Sequence, residues 1–575
     1  MNNDLNKINF EIENLIKKND FSKIYKILSN QNTNLIKDID LLKIFLISSY
    51  ITKKFDFFLL LTKEIVKRKI LDREIVFILI YIFISLNKFE DTFNLLNNFI
   101  KKDIEKSEKI KFKFISKFML IKNLTINFEV KKEVNTFLLF GIYLRKAELI
   151  NESIEVFEIL INEFKNNYIA FFHLAKNYQK IKKNSKALIN INLSLEINPN
   201  LEDAINSKAV ILIELKKYNE AYDFLKKKII SNKTNKYYFM NLGKILADRG
   251  EFNEAIIFFD KALSIDNEHP IANYGKALCL LSKGKIQQSF KYLNFRMNGY
   301  LLSNNFLNKF NKPRLKNFDN LKNIKILVIF EQGFGDTLQF SRYLVYLVNM
   351  GATVYFIPQK KLYNIFNFLN KKIKVFTYDD KIPLYDFYLP LFDLPFLYYS
   401  KYKKFENYKP YLNISKLCNS KLENLLNNKK INVGICWKSN LDSHNKSFDL
   451  KYFDKISKIK NINLISLQLD DEDDIKKVNF KVTTLSQMGI KNNFYNTAIF
   501  MKSLDLVITC DTSICHLSGS FEINTWLLLK KIPDWRWLIN NQIWYKNFTL
   551  FHQKNEFDWS DVFNSVYNKL IKIYN

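Results

Sequence analysis

Small residues recur along the first half of the chain in pairs twelve positions apart: Gly141/Ser153, Ala175/Ala187, Ala209/Ala221, Gly243/Ala255 and Ala277/Ser289. Each pair follows the one before it by 34 residues, in segments that read as helix after helix with almost no glycine. That period predicts a helix–turn–helix unit in which small residues let two helices approach closely. Pro199 and Pro270 fall at unit boundaries, where helices stop. Further back the period survives in "FSKI" (21–24), "FDFF" (55–58) and "FEDT" (89–92), again 34 apart. A phase break follows between about 100 and 135. The expected layout is degenerate helical hairpins over 1–110 and a regular array over 134–300.

From Ile324 the pattern changes. Strand-like runs Ile324–Phe330, Thr353–Ile357, Lys374–Thr377 and Tyr385–Leu389 alternate with helical stretches at Thr337–Val348 and around 361–369. A second series runs "INVGICW" from Ile431, a helix near 450–459, "NLISLQ" (463–468), a helix over 496–504, "DLVITC" (505–510), a helix from Thr512 and "TWLLL" (525–529). Apolar strands alternating with helices imply parallel sheets joined by right-handed crossovers. The fold class expected is therefore an α-solenoid followed by an α/β module of two Rossmann-like lobes, over 320–410 and 430–575. In such lobes ligands sit in the crevice at the carboxyl ends of the strands. "EQGFGD" (331–336) and "CDTS" (510–513) both fall at strand-to-helix junctions that would face it.

Composition narrows the picture. A 47% hydrophobic and 15% aromatic content over 575 residues excludes a mainly disordered chain. The formal charge of +30 would suggest nucleic acid, but no arginine-rich stripe or basic arm concentrates it, so no nucleic-acid partner is expected. Cys279, Cys418, Cys436, Cys510 and Cys515 lack the paired spacing of a zinc site or disulfide framework, which fits a reducing compartment. The N-terminus mixes acids with bases and lacks an apolar core segment, so no signal peptide is read there. The longest uncharged apolar run, Ile75 to Leu86, is too short to span a bilayer. A cytoplasmic protein without a transmembrane segment is the expectation.

The candidate chemistry lies at the two junctions. The helix after Asp511-Thr512 opens with amides that lack internal partners, which suits an anion such as a diphosphate. His516, one turn in, could add a donor, and Lys446 in "SHNKSFDL" is a candidate phosphate cation. Asp511, itself anionic, would cap the helix or take a ribose hydroxyl. Lys438 and Gln468 stand at strand ends facing the crevice. Asp336 reads either as a catalytic carboxylate or as the cap of a helix starting at Thr337, with Gly333 and Gly335 serving the turn under both readings. "DDEDD" (470–474) reads as a solvated loop, and Trp535, Trp537, Trp544 and Tyr545 read as packing.

The unit "NLGKILADRGEFNEAIIFFDKALSIDN", with Gly243, Phe252, Ala255, Phe259 and Ala262, resembles the tetratricopeptide repeat (TPR). "EQGFGDTLQFSRYL", "VGICWKSN", "HNKSFDL", "ISLQ" and "DLVITCDTSICHLSGSFEINTWLLLKKIPDWRWL" together resemble the catalytic region of bacterial TPR-containing glycosyltransferases. These are GT-B enzymes related to the heptosyltransferases and, more distantly, to O-GlcNAc transferases. The likeness covers roughly residues 320 to 575, including the terminal "LFHQKNEFDWSDVFNSVYNKL". It implies transfer of a sugar from a nucleotide-diphosphate donor to a protein or glycan hydroxyl, inverting and without a metal or other cofactor. Asp336 would then be the general base, and Gly333, Gly335, Lys446, Gln468, Asp511, Thr512 and His516 would form the donor side. The TPR groove would hold the acceptor. The chain departs from the pattern in "SICHLSGS" and at Lys530-Lys531.

Overall fold

The computed structural model describes most of residues 130–575 and shorter stretches before them, chiefly 20–29 and 39–54. Positions 63–78, 81–129, 298–309, 413–425 and 440–445 are among those outside it. "FEDT" (89–92), most of "FDFF", most of the 75–86 run and Cys418 lie outside the described residues. Two compact units are formed, Met1–Phe224 and Leu225–Asn575.

The first unit is helical. Its described elements are α1 (Phe21–Ser29), α2 (Ile39–Ile51), α3 (Val130–Lys146), α4 (Ile150–Glu163), α5 (Tyr168–Lys180), α6 (Asn184–Ile197) and α7 (Glu202–Glu214). Helix α8 (Tyr218–Ser231) runs across the division between the units. The paired small residues do what their spacing predicts. A Cβ added to Gly141 of α3 would lie 2.5 Å from the ring of Phe157 in α4. Ser153 Oγ donates to the Gly141 carbonyl at 2.6 Å, and Ala175 and Ala187 are fully buried.

In the second unit the same motif continues as α9 (Lys236–Asp248), α10 (Phe252–Ile265), α11 (Pro270–Ser282) and α12 (Ile286–Leu293). Asn235 caps α9 and His269 caps α11, again 34 residues apart, and Pro270 opens α11. The division at 224/225 thus falls inside the region whose period predicts one array.

Two parallel sheets follow in the second unit. The first has β1 (Lys325–Ile329), β2 (Thr353–Ile357), β3 (Ile373–Val375) and β4 (Phe387–Pro390) in the order β3-β2-β1-β4. The second has β5 (Ile431–Cys436), β6 (Ile462–Ser466), β7 (Thr483–Thr484), β8 (Leu506–Cys510), β9 (Thr525–Leu529) and β10 (Phe548–His552) in the order β10-β9-β8-β5-β6-β7. Counted within that sheet the order is 3-2-1-4-5-6 read from one edge, the doubly wound arrangement. Its strand order reverses between β5 and β8, which pair from Val433↔Leu506 to Cys436↔Thr509. Both faces of β8 and β9 are buried, as a parallel sheet covered by helices requires.

The helices that matter for the site are α13 (Phe334–Phe340), α14 (Leu394–Tyr402), α15 (Phe494–Met501), α16 (Ser513–Ser520), α17 (Trp535–Leu538) and α18 (Ser560–Tyr574). The helix expected over Thr337–Val348 instead begins at Phe334 and breaks at Ser341 into shorter turns. Phe290 of α12 packs on Phe396 and Tyr399 of α14, with ring centroids 5.5 and 6.1 Å apart. The last helical hairpin therefore shares a core with the first sheet layer. Among the described residues no helix is long and apolar enough to cross a membrane.

Candidate functional site

The turn after β1 places two carboxylates five residues apart in opposite surroundings. Glu331 is fully buried and pairs with Arg296, just beyond α12, through Nε (2.7 Å) and Nη2 (3.0 Å). Arg296 Nη2 also reaches Asp393 at 2.6 Å, and Asp393 takes Arg314 as well. This closed quartet joins the end of the helical repeats to the first sheet. Burial pushes the Glu331 carboxyl up against the pull of Arg296, whereas burial of Asp393 is outweighed by its two arginines, which hold it down.

Asp336 is 20% exposed. It is the third residue of α13 rather than a cap ahead of Thr337, and Gly333 holds the cap position. Oδ2 accepts the Gly333 amide at 3.0 Å, and Oδ1 accepts Nη2 of Arg536. Burial raises its pKa, opposed by Arg536 and the Gly333 amide. The positive φ of this turn falls on Gln332 (64°), whereas Gly333 is extended at −82°. Gly335 is needed for a different reason: a Cβ there would lie 2.8 Å from Cδ2 of His516.

On the opposite wall, β8 delivers Asp511, and Thr512 caps α16 by accepting the Ile514 amide at 3.3 Å. The cap is thus Thr512; Asp511 instead pairs with Nζ of Lys446 at 2.5 Å. Although burial works against it, Lys446 draws the Asp511 carboxyl down to about 2, and its own ammonium is raised in return. The pair sits where the order of the second sheet reverses, between β5 and β8.

His516 is buried, with Nδ1 3.0 Å from the Tyr545 hydroxyl and its ring 5.7 Å from Trp537 in near-parallel stacking. Burial takes its pKa down to about 3, so the ring is neutral and offers no positive charge to an anion.

Gln468 and Lys438 serve the wall rather than the opening. Gln468 is 4% exposed, and its Oε1 accepts the Lys438 amide at 3.0 Å and the Cys436 thiol at 3.3 Å, bracketing the ends of β5 and β6. Lys438 Nζ pairs at 2.8 Å with Asp474, which also accepts Trp437 Nε1 at 3.1 Å. The acidic run is therefore tied to the sheet at Asp474, not wholly solvated. Trp535, Trp537, Trp544 and Tyr545 are buried, in keeping with packing.

Three contributors escape a reading of the sequence. Arg536 donates Nε to Gln339 Oε1 (2.8 Å) and Nη1 to Asp534 Oδ1 (2.8 Å), besides its bond to Asp336. Asp534 is partly exposed beside it. Tyr274 of α11 lies within the electrostatic reach of Arg296, Arg536, Glu331 and Asp336, so the terminal repeat borders the site. An arginine between two tryptophans, in "DWRWL", was the available signal, since a guanidinium so enclosed needs a counter-charge.

Asp511, Cys515 and His516 bring one metal-ligating atom each to within 4.8 Å of one another. A cation there would compete with the Lys446 ammonium on Asp511 and meet the positive end of α16. Cys515 is also held well above the ordinary thiol range by burial. Lys446 and the start of α16 therefore weigh against a cation here.

A family model described as a tetratricopeptide repeat matches residues 237–269. A TPR repeat-containing protein of Methanocaldococcus jannaschii is 28% identical over 116 residues, 20% of this chain and 20% of its own length. The chain thus spans about a fifth of that relative. Among solved structures, MamA from Desulfovibrio magneticus RS-1 has 14% identity and a TM-score of 0.26, covering 29% of this chain and 93% of that one. YrrB, titled a TPR protein with an unusual peptide-binding site, has 14% identity and a TM-score of 0.25, covering 33% of this chain and 93% of that one. The helical region is therefore a TPR-like solenoid, and an α/β region with parallel sheets follows it.

Proposed function

We propose that the crevice binds a nucleotide-diphosphate sugar and transfers its sugar to an acceptor hydroxyl, with the TPR-like repeats presenting the acceptor. The two α/β lobes are then of GT-B type, working without a metal in the cytoplasm. One observation carries this reading. The Asp336 carboxylate of α13 lies within the electrostatic reach of Lys446, which pairs with Asp511 beside the capped start of α16 at the switch point of a doubly wound sheet. The diphosphate would lie against the start of α16 and Lys446, displacing Asp511 from the lysine in part. Asp336 would take the acceptor proton as the acceptor oxygen attacks the anomeric carbon. The bond from that carbon to the diphosphate oxygen breaks, and the nucleoside diphosphate leaves with the electron pair, stabilised by Lys446 and the helix start. The acceptor is a protein segment or a glycan precursor; Tyr274 beside the site supports its approach along the terminal repeat.

A second reading is a TPR adaptor whose crevice senses a nucleotide without turnover. It is favoured by the engagement of both Asp336 oxygens, one by Gly333 and one by Arg536. Release of nucleoside diphosphate from UDP-, GDP- and ADP-sugars decides between the two. The transferase reading expects Asp336→Asn to lower the rate by roughly 10²–10⁴-fold while nucleotide still binds. Equal rates in both proteins, or binding with no release above background, would leave the adaptor.

A further inference from the structure

We propose that Arg536 is the positioning residue for Asp336, a guanidinium locked on one wall of the crevice that orients and charges the carboxylate on the other. The lock is complete on its own side. Arg536 Nη1 holds Asp534 Oδ1 at 2.8 Å, its main-chain amide holds the same oxygen at 3.1 Å, and its carbonyl accepts Trp544 Nε1 at 3.0 Å. The rings of Trp535 (5.0 Å) and Phe340 (5.3 Å) flank the guanidinium plane. Across the crevice it spans two positions of one helix, Gln339 through Nε and Asp336 through Nη2. With the Gly333 amide on Oδ2, the Asp336 carboxylate has one orientation only.

The charge consequence follows. Asp336 is faced by Arg536 and Asp534 from the loop at α17, by Lys446 from the loop after β5 and by Tyr274 from α11. The neutral His516 ring of α16 meets it across Gly335. Burial pushes the carboxyl up, and Arg536 is the largest opposing influence. Without Arg536, Asp336 would hold its proton to higher pH and be poorly placed to accept another.

The test is a double-mutant cycle of thermal unfolding on the full chain, with Arg536→Gln, Asp336→Asn and the double variant at pH 5.5 and pH 8.0. Removing the arginine leaves the buried carboxylate without its main counter-charge, a cost that shrinks as falling pH protonates it. The expected Tm loss for Arg536→Gln is roughly 5 °C at pH 8.0 and less than half that at pH 5.5, with much of it recovered in the double variant. Equal losses at both pH values with no recovery would overturn the proposal and make Arg536 a packing residue. If Arg536→Gln does not fold, Arg536→Lys, which keeps charge but loses the fork, is expected to show a smaller loss without the pH difference; the same pH difference there would contradict it. The catalytic meaning rests on the transferase reading. Where nucleoside diphosphate release is measurable, Arg536→Lys should leave the acid limb of kcat/KM near its wild-type position, and Arg536→Gln should move it to higher pH. Absence of turnover in every protein would sink the transferase reading while leaving the cycle intact.

Discussion

Two clusters of charge lie within the second unit, and they are built for opposite ends. In the Arg296–Glu331–Asp393–Arg314 quartet two arginines face two carboxylates, and three of the four side chains are at most 8% exposed. In the crevice, Lys446 and Arg536 face Asp336, Asp511 and Asp534, with the lysine 23% and Asp534 27% exposed. The first is balanced and, apart from Arg314 at 24% exposure, shut. The second carries one carboxylate in excess, opens to solvent and ends on a helix start that can take an anion. Both draw on the same short turn, Glu331 serving one and Asp336 the other. Sealed, paired charge fixes how elements join; open, unbalanced charge is what a ligand can rearrange.

The largest expected effect comes from breaking the sealed cluster. Arg296→Met should cost about 3–5 kcal/mol in chemical unfolding, because Glu331 loses its counter-charge in the core. Adding Glu331→Gln should return part of that loss. A cost below 1 kcal/mol would remove the contrast between the clusters.

Acid titration sharpens the contrast next. Asp511 is held below its ordinary value, so its contribution is complete above about pH 3.8 and fades as pH falls toward its folded value of about 2. Asp393 and Asp534, also held down, fade in acid as well, so Lys446→Ala should lose on the order of 2 kcal/mol less than the wild type, as followed by circular dichroism. Glu331 has the opposite sign: its pKa is raised, so it gains rather than loses stability as pH falls, and it cannot mimic this signal. Smaller still, Gly335→Ala should cost roughly 1–2 kcal/mol by pushing the His516 ring from its stack on Trp537. Unchanged stability and nucleotide affinity in that variant would show that the two walls need not meet there.

Much of the architecture was legible because it follows from periodicity. Helical pairs need small residues where backbones meet, as at Gly141 against Phe157, and strands buried on both faces read as unbroken apolar runs, as in β8 and β9. β10 escaped because only its first residue is buried, and β7 because it has two residues. Asp336, Lys446 and Asp511 were legible as polar residues at strand ends. Their partnerships were not. Asp336 finds Arg536 two hundred residues on, and Glu331 finds Arg296 thirty-five residues back, distances over which pattern carries no pairing information. The assignment of the cap to Asp511 failed because Lys446 competes for its carboxylate and leaves Thr512 to satisfy the helix. His516, read as a further donor, is buried and neutral, with Nδ1 engaged by the Tyr545 hydroxyl.

The most direct test of the central claim is thermal stability against UDP-, GDP-, ADP- and CMP-sugars, with Lys446→Ala alongside. Ligand at about a hundred times its dissociation constant adds roughly 2.7 kcal/mol to the folded state, a visible shift. The account predicts a rise with one nucleotide class that Lys446→Ala abolishes or weakens at least tenfold; no rise with any donor, or one that the variant retains in full, would contradict it.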